Sequence, residues 1–251
     1  MKNRNVNNQY IRGIIITAEK NIRIYYAKPP VLMFGIIFPL FLFLSFYLGR
    51  KIDFNVFFPG FLAMSLFFTA SSVGPLITPW EKQAGTYERL LSFPVTVNTI
   101  ILGDVIAGML YGIIINIIVL TFGLIFLAYN VNVWGLIFGT LLASFCFSSL
   151  GVLLASPAAK SPSNIMLLSS VIRFPLIFIS GIFIPIKDLT LAGKILSYIS
   201  PVTYIVDIFN FSLKGIHDIA LAIDFIALIL FSFFFLFLSN RFHKRNLLKG
   251  L

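Results

Sequence analysis

Residues 80–94 read WEKQAGTYERLLSFP, a short polar stretch between two long apolar runs of the chain. Four of the chain's few charged residues lie in it: Glu81, Lys82, Glu88 and Arg89. Pro79 precedes the stretch and Pro94 ends it, and the spacing of the charges beside a leucine edge predicts one short helix over 81–91. A charged helix this short between two apolar runs indicates a contact site for another molecule.

The composition predicts that the rest of the chain lies in lipid. Of its 251 residues, 59% are hydrophobic and 11% are charged, and the mean hydropathy is +0.97. Soluble domains carry roughly 25% charged residues. In a bilayer every backbone polar group needs an internal partner, and long unbroken apolar runs favour helices over barrel strands. The sequence therefore predicts an all-α integral membrane protein with a single domain over 1–251.

Six apolar runs are long enough to be transmembrane helices. We predict spans at 31–48, 54–78, 100–129, 133–156, 165–185 and 220–239. Before the first span, residues 1–30 are polar and basic, and Tyr10, Ile14, Ile22 and Tyr25 recur at helical spacing. This pattern is typical of an amphipathic helix at the membrane interface, with a soluble elbow packed on the protein as the alternative.

The segment 186–219 between the last two spans is too apolar for a solvated loop and too short to cross the membrane twice. Pro201 divides it. We expect two re-entrant half-helices buried against protein, with a bare hydrophobic loop as the alternative.

The flanking basic residues predict the orientation. With the N-terminus inside, the cytoplasmic segments contain thirteen Lys and Arg and the outer segments five. Both termini and the polar segment 79–99 are therefore expected in the cytosol. The net charge of +10 belongs to these membrane flanks, so we expect no nucleic-acid partner.

Isolated polar residues give weaker signals. Arg173 lies within the fifth predicted span, where a charge costs at least about 2.5 kcal/mol and needs a partner or a wet cavity. It is a candidate for a pathway or lipid contact, or a structural residue paired with a carbonyl or with Asp104. Asp104 and Asp224 are close to span ends and are typical of interfacial residues. The single cysteine, Cys146, lies in an apolar run, and no metal-ligand cluster is present.

Two pairs of glycines have the small-xxx-small spacing of closely packed membrane helices: Gly108 with Gly112, and Gly135 with Gly139. We expect them to pack within one subunit rather than between subunits.

Four motifs, in order, resemble the membrane subunit of type-2 ATP-binding-cassette exporters, which include drug-resistance and polysaccharide-export permeases. They are AEKNIR at 18–23 with FPL at 38–40, EKQAGTYERLLSFPV at 81–95, FPLIFISGIFIP at 174–185 and SPVTYIVD at 200–207. The second is similar to the family pattern E-(R/K)-x-x-G-T-x-E-x-L-L-x-x-P-(V/I), and the fourth to N-P-x-T-Y. Ser200 departs from the family's asparagine, and Arg173 and Asp104 are charges where many members have apolar residues or lysine.

The resemblance implies a permease that does not hydrolyse ATP and pairs with a separate ATPase subunit and with a second copy or a similar chain. It assigns the ATPase contact to Glu81, Lys82, Gly85, Thr86, Glu88 and Arg89. It assigns an outer re-entrant motif to Pro185, Pro201, Thr203, Tyr204 and Asp207. No G-x-x-x-x-G-K-[ST] phosphate loop is present, so no cofactor is expected in this chain, and ATP and Mg would bind the partner.

The resemblance further implies outward transport across the plasma membrane of a prokaryote. Candidate cargoes are an amphipathic drug, a lipid-linked molecule or a polysaccharide. The alternative function is a secondary transporter that works without an ATPase, a class that usually shows inverted repeats around intramembrane ions. An intramembrane enzyme is disfavoured because the sequence contains no H-E-x-x-H motif and no nucleophile or paired-acid array, so no catalytic residue is expected.

Overall fold

The computed structural model describes residues 2–49, 54–93, 95–126, 131–157 and 161–247. The secondary structure of these residues is helical throughout. The helices are α1 (Lys2–Tyr25), α2 (Pro29–Leu32), a π-helical turn (Met33–Ile37), α3 (Phe38–Gly49), α4 (Phe54–Ser72), α5 (Gly74–Gln83), α6 (Thr86–Leu91), α7 (Val97–Phe126), α8 (Val133–Leu154), α9 (Pro162–Phe178), a 3₁₀ turn (Ile186–Asp188), α10 (Leu191–Ser197), α11 (Pro201–Lys214) and α12 (Leu221–Leu247).

The second predicted span is the centre of the bundle. Helices α4 and α5 form one long apolar unit, Asn55–Gln83, whose residues are almost all buried. Helices α7 and α8 pack on α4, and α11 and α12 pack on α8. In contrast, only 28% of the apolar window of α7 and 22% of that of α12 are buried, and both helices expose large apolar side chains such as Ile118 and Phe237. Large exposed apolar faces of this kind suit contact with lipid.

Small residues allow the close approach of these helices. A Cβ added to Gly112 would lie 2.7 Å from the Cβ of Ala70, and one added to Gly108 would collide with Ser148. At the other end of α8, Cβ atoms at Gly135 and Gly139 would meet Ser212 and Ile208 of α11. The prediction that both glycine pairs pack within one chain is confirmed.

Four of the six predicted spans correspond to helices long and apolar enough to cross a membrane: Asn55–Gln83, Val97–Ile125, Val133–Leu154 and Leu221–Arg245. The first predicted span belongs to a bent pair, in which α1 meets the following helix at 91°. The fifth is shorter than predicted: α9 ends at Phe178, before a turn in which Gly181 has a φ of +83°. The total of six spans remains a prediction.

The polar segment predicted at 79–99, called the coupling segment below, does not contain the single helix predicted over 81–91. Helix α5 continues through Pro79 and ends at Gln83, and α6 begins only at Thr86. The break falls at Gly85, whose φ of +65° is left-handed and is tolerated because glycine has no Cβ. Pro94, predicted to end the short polar stretch, lies outside the described residues.

We expect Gly112→Val to weaken the contact between α4 and α7, because its side chain needs space that Ala70 fills. Overpacking of this kind costs about 1–3 kcal/mol. Thermal unfolding of the purified protein in detergent should show a lower midpoint. The control is Ile114→Phe, which adds volume on the exposed face of the same helix. Equal midpoints for Gly112→Val and wild type would contradict the packing described above.

Candidate functional site

The exposed part of the coupling segment is the break between α5 and α6. Ala84 and Gly85 are exposed, and apart from the neighbours in the chain no atom of the described residues lies within 4 Å of where a Gly85 Cβ would be. The turn is closed by backbone bonds from Ala84 to Trp80 (3.0 Å) and from Gly85 to Lys82 (3.1 Å). The segment thus presents a tight, open turn at the end of the long central span.

Three of the predicted contact residues, Gly85 and two basic ones, lie at this surface. Lys82 and Arg89 are exposed on either side of the turn. The Lys82 ammonium lies 5.5 Å from the centre of the Tyr87 ring, which is buried and fixes α6 against the protein. Thr86 is half-buried, and its hydroxyl donates a hydrogen bond to the Glu81 carbonyl (3.2 Å). The side chain of Glu88, the sixth predicted residue, lies outside the described residues.

Glu81 points in the other direction, into the protein. Its side chain is only 2% exposed and forms an ion pair with Lys20 of α1. The Tyr25 hydroxyl, also on α1, donates to the same carboxylate oxygen over 3.4 Å. Because the carboxylate is buried, it joins the coupling segment to α1, and in this structure it is not part of the exposed surface.

An aromatic cluster strengthens the same junction. The rings of Tyr25 and Trp80 stack with centroids 5.6 Å apart and planes 13° apart. The Lys28 ammonium lies 4.8 Å from the Tyr25 ring and 4.3 Å from the Trp80 ring. Ammonium groups over aromatic faces contribute about 0.5–2 kcal/mol each. The C-terminal end of α1 is therefore attached to α5 by charge and by stacking together.

Helix α1 is also attached to the start of α7. The Asn21 amide donates to the Asp104 carboxylate over 2.5 Å, and both residues are buried. One turn away, Gly103 lies so close to Thr17 that an added Cβ would be 2.6 Å from the threonine Cβ. The alternative that Asp104 pairs with Arg173 is wrong, since Asp104 bonds to Asn21 at the α1 contact. Helix α1 thus contacts the second and third predicted spans simultaneously.

Arg173 is buried in the bundle without an acidic partner among the described residues. It is 1% exposed, and its Nη1 donates to the Ser71 hydroxyl over 3.4 Å. The guanidinium carbon lies 5.6 Å from the Phe68 ring centre, and Nε has no hydrogen-bond partner. A cation held by one long hydrogen bond and one ring is weakly compensated, so a pathway or lipid contact stays a prediction.

The predicted outer motif lies at the end of the molecule opposite the coupling segment. As predicted, Pro201 separates two helices, α10 and α11. The Ser200 hydroxyl caps α11 by accepting from the Val202 N–H (3.2 Å) and donates to the Leu176 carbonyl of α9 (2.8 Å). Serine therefore supplies the cap at the position where the family pattern has asparagine.

The other motif residues connect α11 to its neighbours. Thr203 donates to the Ser197 carbonyl (2.5 Å), and the Tyr204 hydroxyl donates to the Tyr198 carbonyl (2.8 Å), so both bond back to α10. The Asp207 carboxylate accepts the backbone N–H groups of residues 218 and 219, just before α12. Pro185 precedes the 3₁₀ turn and accepts the Asp188 N–H through its carbonyl (3.0 Å).

The sequence analysis did not predict the residues that surround the buried Glu81 carboxylate. Lys20, Tyr25, Lys28 and Trp80 were not among the predicted site residues. Lys20 is 61 positions from Glu81, so no local spacing relates them. The only available signal was that Lys20 and Tyr25 occur on one amphipathic segment that precedes the first span.

The fold and this junction define a helical, multi-pass membrane protein in which the polar turn at Gly85 is connected to helix α1. Residues 13–213 match the model of the ABC-2 type transporter family, and the chain belongs to that family. It is also similar to the inner membrane transport permease YadH of Escherichia coli strain K12, with 29% identity over 69% of this chain and 68% of the relative. The YadH proteins of Escherichia coli O157:H7 and Shigella flexneri match to the same extent. The chain is thus a transport permease.

We expect Lys20→Met to destabilise the protein strongly, because it leaves the Glu81 carboxylate buried and unpaired. Removing one partner of a buried pair costs about 3–5 kcal/mol. Glu81→Gln combined with Lys20→Met should recover part of that loss, since position 81 then holds no unpaired buried charge. Denaturant unfolding in detergent of wild type, Lys20→Met, Glu81→Gln and the double variant measures the coupling as a double-mutant cycle.

The chain offers a matched control on the same helix. Arg23 and Glu19 also form an ion pair, but their side chains are 76% and 55% exposed. Removing it with Glu19→Gln should change stability by no more than about 1 kcal/mol. If Lys20→Met were as mild as Glu19→Gln, the buried junction would not hold α1 in place.

Proposed function

We propose that this chain is the permease subunit of an ATP-binding-cassette exporter and that its coupling segment contacts a separate ATPase subunit. The observation that carries the proposal is the exposed turn at Gly85, flanked by Lys82 and Arg89 and connected to α1 through buried Glu81. Such a turn can be pushed by a partner, and the buried ion pair passes that displacement to α1. The chain itself would not hydrolyse ATP; ATP and Mg would bind the partner.

The proposed path of the displacement follows the helix contacts. Helix α5 packs on α8 and α9, and α1 packs on α7. A rigid unit of α1, α5 and α6 would therefore move three predicted spans together. Rim charges such as Lys82 and Arg89 set the encounter rate and the register of a partner more than the affinity. Gly85 and Thr86 would let the partner's surface approach the turn.

We further propose six spans, both termini and the coupling segment in the cytosol, and a dimer of two copies or two similar chains. The excess of basic residues in the segments at the coupling end supports this orientation. Helices α10 and α11 would then be the re-entrant pair at the outer face, and α1 would lie at the inner membrane interface. The exposed isoleucines of α1, such as Ile15 and Ile16, suit a face turned to lipid.

The proposed cargo is an amphipathic drug, a lipid-linked molecule or a polysaccharide. We propose that it is transported out of the cell. Arg173, buried between α9 and α4, is a candidate contact for the pathway or for lipid. Membership of the ABC-2 family favours this function over the alternative of a secondary transporter.

The test is to purify the affinity-tagged chain from the membranes of its native cells in mild detergent. We expect a subunit with a Walker A motif to co-purify and the complex to hydrolyse ATP. We expect the partner to present acidic residues to this basic turn. Charge reversal with Lys82→Glu/Arg89→Glu then places like charges opposite each other, which goes beyond the loss of a rim charge and should lower the yield of bound ATPase by about tenfold or more. Mass spectrometry and ATP hydrolysis per permease measure both quantities.

The control is Lys187→Glu/Lys194→Glu, which reverses two charges at the opposite end of the molecule and should leave the complex intact. Loss of the ATPase from both variants would indicate general instability and would contradict a specific contact at the turn. If wild type bound no ATPase at all, the exporter proposal would fail and the secondary transporter would take its place.

A further inference from the structure

Two buried aspartates lie side by side at the end of the molecule opposite the coupling segment. Asp207 is one turn beyond Tyr204 on α11, and Asp224 is in the first turn of α12. They are 3% and 0% exposed. The Asp207 carboxylate accepts the two backbone N–H groups just before α12, which brings it close to the first turn of that helix, where Asp224 lies. No Lys, Arg or His among the described residues forms an ion pair with either carboxyl group.

The two carboxyl groups have different partners. Both oxygens of Asp207 accept backbone N–H groups, from Asp218 at 2.8 Å and Ile219 at 3.0 Å. These bonds suit an ionised carboxylate. Neither oxygen of Asp224 has a well-formed hydrogen bond among the described residues, although both are buried. Asp224 therefore lacks the bonds that would stabilise a second negative charge.

Two adjacent carboxylates in a site of low dielectric cannot both ionise at moderate cost, and one proton between them removes the repulsion. We propose that Asp207 and Asp224 share one proton and form a proton-binding lock between α11 and α12. With the proton in place, Asp224 donates to Asp207 and the helices are held together. Loss of the proton sets two like charges against each other and favours separation of the helices.

The basic residues around the pair form no ion pair with it among the described residues. Arg173 of α9, a helix that also packs on α11, donates to the Ser71 hydroxyl, and Lys187 lines the cavity beside Asp207. Helices α4 and α8, which pack on α11, contain no charged residue. On α11 itself, Lys214 donates to the Val56 carbonyl and to Asn210. The turn before α12 contributes Asp218 and His217, and the Tyr204 hydroxyl is committed to Tyr198.

A proton can reach the pair from the adjoining solvent. A cavity of about 390 Å³ opens beside Asp207 and is lined also by Lys187, Asn210, His217 and Asp218. In the orientation proposed above, this cavity opens on the outer side of the membrane. The lock would then respond to the pH outside the cell, and this part of the inference rests on the proposed orientation. The sharing of a proton by the two aspartates does not depend on an ATPase partner.

The first test is the infrared spectrum of the purified protein across a pH series. We expect a C=O band of a buried protonated carboxyl group that disappears as the pH rises. Asp224→Asn should remove this band. Both spectra are recorded in an Asp104→Asn background, which removes the other buried aspartate among the described residues and should leave the band in place. No band at low pH without Asp224→Asn, or a band that survives Asp224→Asn, would overturn the proposal.

The second test is thermal unfolding of the same variants. A folded state that holds one more proton than the unfolded chain loses stability as the pH rises. Wild type should therefore show a falling midpoint with rising pH, and Asp224→Asn should show a flatter dependence, since its amide can donate to Asp207 at every pH. Asp188→Asn, an exposed acid at the same end, should behave as wild type. Parallel pH profiles for wild type and Asp224→Asn would contradict the lock.

Discussion

The buried ion pair between Lys20 and Glu81 is the interaction on which the arrangement of the coupling end depends. A carboxylate that is 2% exposed would be costly alone, and one lysine from another helix compensates it. The pair can form only if α1 lies across α5 with its C-terminal end beside Trp80. Stacking of Tyr25 on Trp80 and the hydrogen bond from Asn21 to Asp104 fix the same placement. Three independent contacts thus define one position of α1.

Because α1 has this position, the exposed turn at Gly85 is connected to a rigid part of the protein. An exposed turn supported only by a flexible linker would absorb a push from a partner. Here the turn is continuous with the buried helix α5, and Glu81 binds that helix to α1. A displacement of the turn would therefore move α5 and α1 with it. At the opposite end, α11 is bonded to α9, α10 and the start of α12 through Ser200, Thr203 and Asp207. Helices are therefore connected at both ends of the molecule. An ion pair and aromatic stacking connect them at the coupling end, and hydrogen bonds to backbone groups connect them at the opposite end.

Much of this could be predicted from the sequence because the relevant signals are local. Composition predicts helices in lipid, Pro201 predicts the division between α10 and α11, and the glycine spacings predict close packing. The direction of Glu81 could not be predicted, because it depends on the helical phase of α5 after Pro79 and on a partner 61 positions away. The prediction of one helix over 81–91 was wrong because Gly85 adopts a left-handed conformation, which breaks the helix despite the helical spacing of the charges. The partner of Arg173 likewise depends on how α9 packs on α4.

The most direct test of the central claim is whether α1 and the coupling segment move as one unit. Spin labels at Arg23→Cys and Phe93→Cys, in a Cys146→Ala background, would report the distance between α1 and the residues just after α6 in the proposed complex with an ATPase. We predict that the distance distribution is the same without nucleotide and with a non-hydrolysable ATP analogue. A shift of the distribution on nucleotide binding would show that the two helices separate and would contradict the account.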